Sequence, residues 1–305
     1  PRTIIITHKK SVSTRFLTIG RGQIGGLLWF LMCGIIIYKR GEKQRKGALN
    51  FDMRLANGLI IVDNKIIHDE NYTYILHDDN TCSLSGVRPY KKIKDAIIPD
   101  EVEGYKVTEI GVAAFRGRKG LSTVIMGKNV KRIWQYAFYD CSNLYWVNLK
   151  NVEFIREFAF GRTGLQTLAI PSSINKMGEG VFYDCRHLIS LEWNTNYDEI
   201  PPKTFMNCKT LVIMNFSNIY KVGSHAFDGA GLKSLNLRKH ITRIDKTAFR
   251  NCSRLLCVSW NCKLSIGSKM FAGCGEIKQI RINSEVRSIA ADAFSDCPKA
   301  EVEFA

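Results

Sequence analysis

The sequence predicts a β-rich solenoid of about nine stacked coils, each 22–23 residues long, with a parallel sheet and an N-terminal β-hairpin as its cap. Three observations predict this fold. A phenylalanine recurs at nearly constant spacing, an apolar residue lies five positions before each one, and a short alternating apolar segment follows it. Coils of this length bury their apolar faces only against neighbouring coils, so we expect one core that runs the length of the array.

The phenylalanine column is the most regular of the three features. Its members are Phe115, Phe138, Phe160, Phe182, Phe205, Phe227, Phe249, Phe271 and Phe294. Neighbouring members are 22 or 23 residues apart, and in six repeats a cysteine follows three positions later. We expect each ring to lie over its equivalent in the next coil, because stacked coils place the same residue type over itself.

The alternating segment predicts the parallel sheet. Five or six residues after each phenylalanine, a Leu-x-x-apolar-x-apolar pattern begins, as in Leu144-x-x-Val147-x-Leu149. Alternation of this kind is typical of a strand with one buried face. The 22-residue period lies within the range of leucine-rich repeats.

The complete motif reads apolar-Gly-x-x-Ala-Phe-x-x-Cys-x-x-Leu-x-x-apolar-x-apolar, and residues 244–255 are a good copy with Asp245 in place of glycine. This pattern resembles the BspA-like leucine-rich repeats over residues 97–305. The resemblance implies an elongated, curved solenoid in which each coil returns through a short β or irregular segment. It also implies a surface or secreted protein that acts as an adhesin or an interaction scaffold.

Two segments precede the predicted solenoid of residues 97–305. We expect residues 53–96 to form an N-terminal β cap, because residues 72–76 and 81–85 are typical of a hairpin with acidic turn residues between its strands. Residues 1–52 form a basic leader with an apolar run at 24–38. Fifteen residues fall short of a bilayer as a helix unless basic flanks extend them. The run is therefore open to four interpretations: a membrane anchor, an uncleaved signal, a non-native leader before Met53, or a buried helix.

The net charge of +16 suggests a nucleic acid or an anionic membrane as partner, but its distribution weakens that suggestion. Residues 1–52 hold ten lysines and arginines against two acidic residues, a net of +8. Residues 53–305 hold 34 against 26, also a net of +8 over five times the length. We therefore predict no nucleic-acid partner.

No pattern in the sequence predicts catalysis, a cofactor or a metal site. The chain has ten cysteines without a Cys-x-x-Cys pair, and its six histidines are scattered. It also lacks a phosphate-binding glycine loop and a nucleophile elbow. We expect the cysteines of the repeat to be buried structural thiols. Cys257, at an outward strand position, and Cys262 could be paired or free.

The outward positions of the repeated strand are the candidate binding surface. Its proposed partner-binding residues are Tyr145, Trp146, Asn148, Thr167, Ser190, Glu192, Ile213, Asn215, Ser234, Asn236, Ser259 and Arg281. Trp146 beside Tyr145 is the expected anchor, because tryptophan and tyrosine concentrate binding energy. The alternative is a solvated face without a partner.

From these features we predict a non-catalytic, monomeric protein-binding module at the cell surface or secreted. Its expected ligand is a protein or glycoprotein held on the sheet face, with a possible single membrane anchor at 24–38. The alternative is an intracellular, cytoplasmic leucine-rich-repeat scaffold that starts near Met53.

Overall fold

A computed structural model of the chain describes residues 4–8, 11–17, 49–51 and 64–304. These residues form strands and turns, and no helix among them is long and apolar enough to cross a membrane. The apolar run at 24–38 lies outside the described residues. The β-rich solenoid that the sequence predicts is confirmed, and it has about ten turns.

One face of the solenoid, which we call the leucine face, carries the repeated strand. Its strands are β7 (Asp95–Ile97), β10 (Thr123–Ile125), β12 (Trp146–Val147), β14 (Thr167–Ile170), β16 (Ser190–Trp193), β18 (Ile213–Met214), β20 (Ser234–Leu237), β22 (Cys257–Trp260), β23 (Gln279–Ile282) and β24 (Glu301–Phe304). Wherever neighbouring strands pair, they pair in parallel. The described strands of this face outnumber the nine phenylalanines because β7 precedes Phe115. The first strand begins at Asp95, two residues before the predicted start of the solenoid.

A second face, which we call the isoleucine face, is built from the apolar residues five positions before phenylalanine. Its strands are β9 (Tyr105–Ile110), β11 (Arg132–Ile133), β13 (Phe154–Ile155), β15 (Lys176–Met177), β17 (Glu199–Ile200), β19 (Lys221–Val222) and β21 (Arg243–Ile244). An isolated parallel bridge joins Ile266 to Ile289 further along. These short pairings are the β return segments that the resemblance implies.

Antiparallel strands extend the isoleucine face at its N-terminal end. They are β3 (Leu49–Phe51), β4 (Asn64–His68), β5 (Tyr72–Leu76) and β6 (Thr81–Val87), with β8 (Glu101–Val102) beside β9. The predicted hairpin is therefore present, with its second strand two residues longer than expected, and β6 pairs in parallel with β9. A separate hairpin joins β1 (Ile4–His8) to β2 (Ser11–Leu17).

The phenylalanine rings form one continuous stack through the core. Successive ring centroids lie 5.0–6.3 Å apart, and the ring planes differ by 4–23°. All nine are buried except Phe294, which is partly buried at the end of the stack. Burial of each ring contributes roughly 1.5–3 kcal/mol of transfer free energy. The predicted arrangement of equivalent rings along one axis is confirmed.

The repeated cysteines are buried beside this stack, and each thiol points to the preceding coil. The Sγ atoms of Cys141, Cys185, Cys208, Cys252 and Cys274 donate hydrogen bonds of 3.0–3.2 Å to a phenylalanine carbonyl of the coil before. Cys297 makes the same contact at 3.8 Å. All nine cysteines in the described part of the chain are free. The column therefore consists of hydrogen-bonded structural thiols.

The backbone conformation of the turn after each phenylalanine explains which residue types occur there. The second residue after phenylalanine has a left-handed backbone, with φ of 54–74°, in eight coils. The residues are Gly117, Asp140, Arg162, Asp184, Asn207, Gly229, Asn251 and Gly273. Glycine, asparagine and aspartate tolerate this conformation best, so the turn selects them. Arg162 is the exception, and it lies in a coil that is one residue shorter here.

Candidate functional site

Two coils are one residue shorter than the others between phenylalanine and leucine. Leu165 and Leu232 lie five residues after Phe160 and Phe227, whereas the other leucine-position residues lie six after. In both coils a glycine precedes the leucine. A Cβ atom on Gly164 would overlap the carbonyl oxygen of Ser142, so the shortened turn is pressed against the coil before it.

The leucine face is interrupted where these two coils begin. Its strands pair in three groups, β7-β10-β12, β14-β16-β18 and β20-β22-β23-β24. The gaps fall between β12 and β14 and between β18 and β20, at the shortened coils. A missing residue shifts the incoming strand relative to its neighbour, and the backbone ladder does not form across the gap.

At the first gap, a main-chain hydrogen bond that joins neighbouring coils elsewhere on this face is also missing. We call this hydrogen bond the rung. The residue after each leucine normally donates its N–H to the carbonyl of its equivalent one coil earlier, at 2.6–3.4 Å. These donors are Ser122, Tyr145, Ile189, Val212, Lys233, Leu256, Lys278 and Glu301. Within residues 64–304, the N–H of Gln166 alone in this series does not bond its equivalent, the carbonyl of Tyr145. We call the junction between β12 and β14 the seam.

A proline removes a further donor at the seam. Pro171 stands six residues after Leu165, the position from which Asn194, Asn261 and Asn283 donate their N–H to the preceding coil at 2.8–3.0 Å. Proline has no N–H to donate. The second gap, by contrast, keeps its rung, because the N–H of Lys233 reaches the carbonyl of Val212 at 3.4 Å.

A groove of about 460 Å³ crosses the seam on the leucine face. Its lining residues are Trp146, Val147, Asn148, Leu149, Lys150, Thr167, Leu168, Ala169, Pro171, Ser190 and Glu192. Val147, Leu149 and Leu168 are buried core residues and supply its apolar surface, while the indole of Trp146 is 44% exposed. Five of the eleven lining residues are polar or charged, so the groove combines apolar contact with groups that can orient a ligand.

Polar and charged groups surround the apolar surface of the groove. The side-chain Oδ1 of Asn148 accepts the N–H of Met126 at 2.5 Å, which fixes that amide. Glu192 accepts one hydrogen bond, of 3.3 Å, from the side-chain amide of Asn194. Among residues 64–304, neither Lys150 nor Glu192 is in an ion pair. The groove therefore offers one cation and one anion to a ligand.

Five of the twelve residues proposed from the sequence line this groove. They are Trp146, Asn148, Thr167, Ser190 and Glu192. Tyr145 is 50% exposed and adjoins the groove through the chain. Asn215, Ser234, Asn236, Ser259 and Arg281 also escape burial but lie on later coils, and Ile213 is placed only by the backbone of β18. The structure therefore brings together the proposed residues on β12, β14 and β16, whereas the others are distributed along the leucine face.

Sequence reasoning missed three residues of this surface. Lys150 and Pro171 line the groove, and Ile97 is 64% exposed in β7. Ala169, which lines the groove, and Ile125, which is 46% exposed and paired with Ile97, stand at outward strand positions of the predicted surface but are not among the twelve proposed residues. The five-residue spacing between Phe160 and Leu165 was the available signal, because it marks where the sheet is interrupted.

The remaining candidates on this face are the two cysteines left undecided by the sequence. Cys257 is half-buried in β22, Cys262 is buried, and both are free. Within the described ranges, no group of three or more His, Cys, Asp or Glu side chains is placed to hold a metal ion.

Comparison with known proteins supports the repeat assignment. Residues 90–189 and 178–301 match the family described as a BspA type leucine rich repeat region, in six copies. A search of curated proteins finds no match.

Similar solved structures are leucine-rich repeat proteins of bacteria. One from Bacteroides ovatus is 20% identical, with a TM-score of 0.43 and coverage of 77% of this chain and 81% of its own. The T. pallidum leucine rich repeat protein is 19% identical, with a TM-score of 0.37 and coverage of 77% and 90%. The pneumococcal vaccine antigen PcpA is 15% identical, with a TM-score of 0.43 and coverage of 79% and 88%.

Proposed function

Since the chain belongs to the BspA-type leucine-rich-repeat family, we propose that it is a non-catalytic protein-binding module that captures an extended segment of a protein partner at the seam. The observation that carries this proposal is the groove beside an exposed indole on the leucine face. A repeat array presents such a face as one continuous surface, which suits binding to a long partner.

Main-chain groups favour an extended polypeptide as the occupant. The Tyr145 carbonyl and the Gln166 N–H are not used between their own coils, and β12 and β14 share no ladder. Extended peptides bind by hydrogen-bonding to strand edges, while pockets for alternate side chains give specificity. The coils on either side of the seam stay stacked, so a bound segment would lie over the face of the seam, with these two main-chain groups and the apolar surface of the groove beneath it.

The side chains in and near the groove favour a protein, and not a small solute, as its ligand. Trp146 is the residue type that concentrates binding energy at interfaces, and the nearby Ile97 and Ile125 extend the apolar surface along the face. Lys150 and Glu192 would pair with an acidic and a basic residue of the partner and so fix its direction.

Binding to a panel of extracellular-matrix proteins and cell-surface glycoproteins, measured with the full chain, tests the proposal. We expect saturable binding that Trp146→Ala weakens by about 30-fold, the effect of losing a residue worth about 2 kcal/mol. Tyr220→Ala is the matched control, because Tyr220 is 43% exposed and lies away from the groove. Binding that both variants leave unchanged, or weaken equally, would reject the groove as the site.

We place the protein at the cell surface or secreted, because the basic flanks of the apolar run at 24–38 suit a membrane anchor or a signal. The competing possibility is an intracellular scaffold that starts near Met53. Fractionation of the native cells, with sequencing of the mature N-terminus, separates the two. A cytoplasmic protein that begins near residue 53 would contradict the proposed surface location. The proposed binding at the groove would be unaffected by that result.

A further inference from the structure

A cluster of basic residues lies around β19 and β21 and extends to the end of β20. We call it the basic turn and define it as Lys221, Arg238, Lys239, His240 and Arg243. Arg238 to Ile241 form a tight turn, closed by the N–H of the isoleucine on the carbonyl of Arg238 at 3.1 Å. Lys221 and Arg243 are side by side in the parallel ladder. Arg238, Lys239 and Arg243 are exposed, so the turn presents several cations to solvent.

Acidic residues lie near this cluster but form no salt bridge with it in the described part of the chain. Within residues 64–304, none of its lysines or arginines is in an ion pair. Asp245 lies close enough to Arg243 for their charges to interact, but its carboxylate accepts hydrogen bonds from the hydroxyl and the N–H of Thr247, at 2.6 and 2.9 Å. Glu199 adjoins Lys221 in the ladder without forming a salt bridge to it.

Other lysines in the equivalent turns of the solenoid are matched by acids. Lys128 pairs with Asp100, Lys131 with Glu153, and Lys263 with Glu285, each at 3.0 Å. In each pair the carboxylate comes from a neighbouring coil. The repeat can therefore supply a counter-charge in these turns. Lys150, the equivalent of Arg238, is also without an ion pair among the described residues, but the basic turn brings together several such cations.

Unmatched cations held this close repel one another and attract an external anion. Guanidinium groups bind the oxygens of sulfate and phosphate through paired hydrogen bonds, and lysine adds a point charge. We propose that the basic turn is a binding site for a sulfated polysaccharide, separate from the groove at the seam.

A sulfated polysaccharide suits this turn better than a nucleic acid does. Proteins that hold single-stranded nucleic acids combine cations with aromatic rings on which the bases stack. The one aromatic ring at this turn, Tyr220, packs at a tilt against the imidazole of His240, with the centroids 5.1 Å apart, so the turn does not offer a series of stacking rings. The remaining described surface mixes both signs of charge, as its salt bridges show. A sulfated polysaccharide has no bases to stack and requires only the cluster.

The test compares two variants of the full chain that lose the same number of charges. The first is Arg238→Gln/Lys239→Gln/Arg243→Gln, and the matched control is Lys128→Gln/Lys131→Gln/Lys263→Gln. Affinity for heparin is measured by calorimetry at physiological ionic strength, with desulfated heparin and single-stranded DNA as further probes. Unchanged thermal unfolding checks that both variants are folded.

We expect the first variant to bind heparin about tenfold or more weakly, and the control to bind as the unaltered protein does. Desulfated heparin should not bind. Trp146→Ala should leave heparin binding unchanged, which keeps this site distinct from the groove. Equal losses in both triple variants would show an effect of net charge alone and overturn the proposal. Tighter binding of DNA than of heparin, or equal binding of desulfated heparin, would also overturn it.

Discussion

The N–H of Gln166 does not reach the carbonyl of Tyr145, although the equivalent pair joins neighbouring coils at the other leucine-face junctions between residues 94 and 301. The coil that begins there is one residue shorter, since Leu165 follows Phe160 by five positions and not six, and it also carries Pro171 after its strand. The other shortened coil lacks this proline and keeps the equivalent bond, from Lys233 to Val212. The phenylalanine rings on either side remain stacked, at 5.1 and 6.0 Å from Phe160. The core therefore continues through the seam while the outer face opens into a groove.

Restoring the missing residue should close the groove. Insertion of one asparagine between Thr163 and Gly164 gives this coil the usual spacing, so we expect β12 and β14 to pair. The crystal structure of the insertion variant measures that directly, and its binding to the partner should be lost. The control is the same insertion between Ala230 and Gly231, which acts on the gap between β18 and β20. An insertion at the seam that leaves β12 and β14 unpaired would contradict the role assigned to coil length.

A methyl group on Gly164 should destabilise the protein. Its Cβ atom would overlap the main-chain carbonyl of Ser142, which cannot move as a side chain can. We expect Gly164→Ala to lower the free energy of unfolding by about 1–3 kcal/mol, as overpacking does. Urea denaturation measures the change. Gly120→Ala is the matched control, because a Cβ atom there would have no neighbour within 4 Å, and this variant should be as stable as the parent.

Truncating a ring in the middle of the stack should be more costly. Phe205 is fully buried, and its ring lies 5.8 Å from that of Phe182 and 5.4 Å from that of Phe227. We expect Phe205→Ala to reduce the free energy of unfolding by about 3–5 kcal/mol, through the lost transfer energy and the cavity that remains. Phe294→Ala should cost less, because Phe294 is only partly buried and has one stacked neighbour. Equal costs at the two positions would contradict a continuous stack.

The buried thiols predict a loss of stability at high pH. Burial raises the pKa of Cys141 to about 12 and that of Cys185 to about 11, from an ordinary value of 9.0. Between pH 9 and 11 the unfolded chain therefore releases these protons while the folded chain keeps them. Stability contributed by the neutral thiols is complete below pH 9 and falls as the pH rises towards the folded-state values. Urea denaturation at pH 8 and at pH 10 measures this fall.

Two controls check the thiol prediction. Cys185→Ala should make the fall with pH shallower, because one titrating group is removed. In the native protein at pH 8, iodoacetamide should modify Cys257, which is half-buried on the leucine face, faster than Cys141 or Cys185. Rapid native modification of the cysteine column would show that its thiols are not held inside the coils.

The repeat can be predicted from the sequence because every coil uses the same residue types at the same positions. The phenylalanine, leucine and isoleucine columns each fix one part of the coil, and the same residue types recur at a constant period. The cap hairpin was also predictable, because Tyr72–Leu76 and the strand from Thr81 alternate around a polar turn.

Features that depend on how neighbouring coils contact one another are harder to predict from the sequence. The groove arises from one missing residue, whose effect on the pairing of β12 and β14 requires coordinates to see. Exposure of Ile97 was missed because it stands before the first phenylalanine, in a strand that the periodicity did not include. The absence of a salt bridge at Arg243 likewise depends on side-chain positions in neighbouring coils.

Amide hydrogen exchange at Gln166 shows whether the main-chain ladder is open at the seam. We expect this N–H, which lacks its partner across the seam, to exchange rapidly in the folded protein. Its equivalent one coil later, the N–H of Ile189, bonds the Gln166 carbonyl at 2.8 Å and should exchange slowly. Protection of Gln166 equal to that of Ile189 would show an unbroken ladder at this junction and would contradict the account.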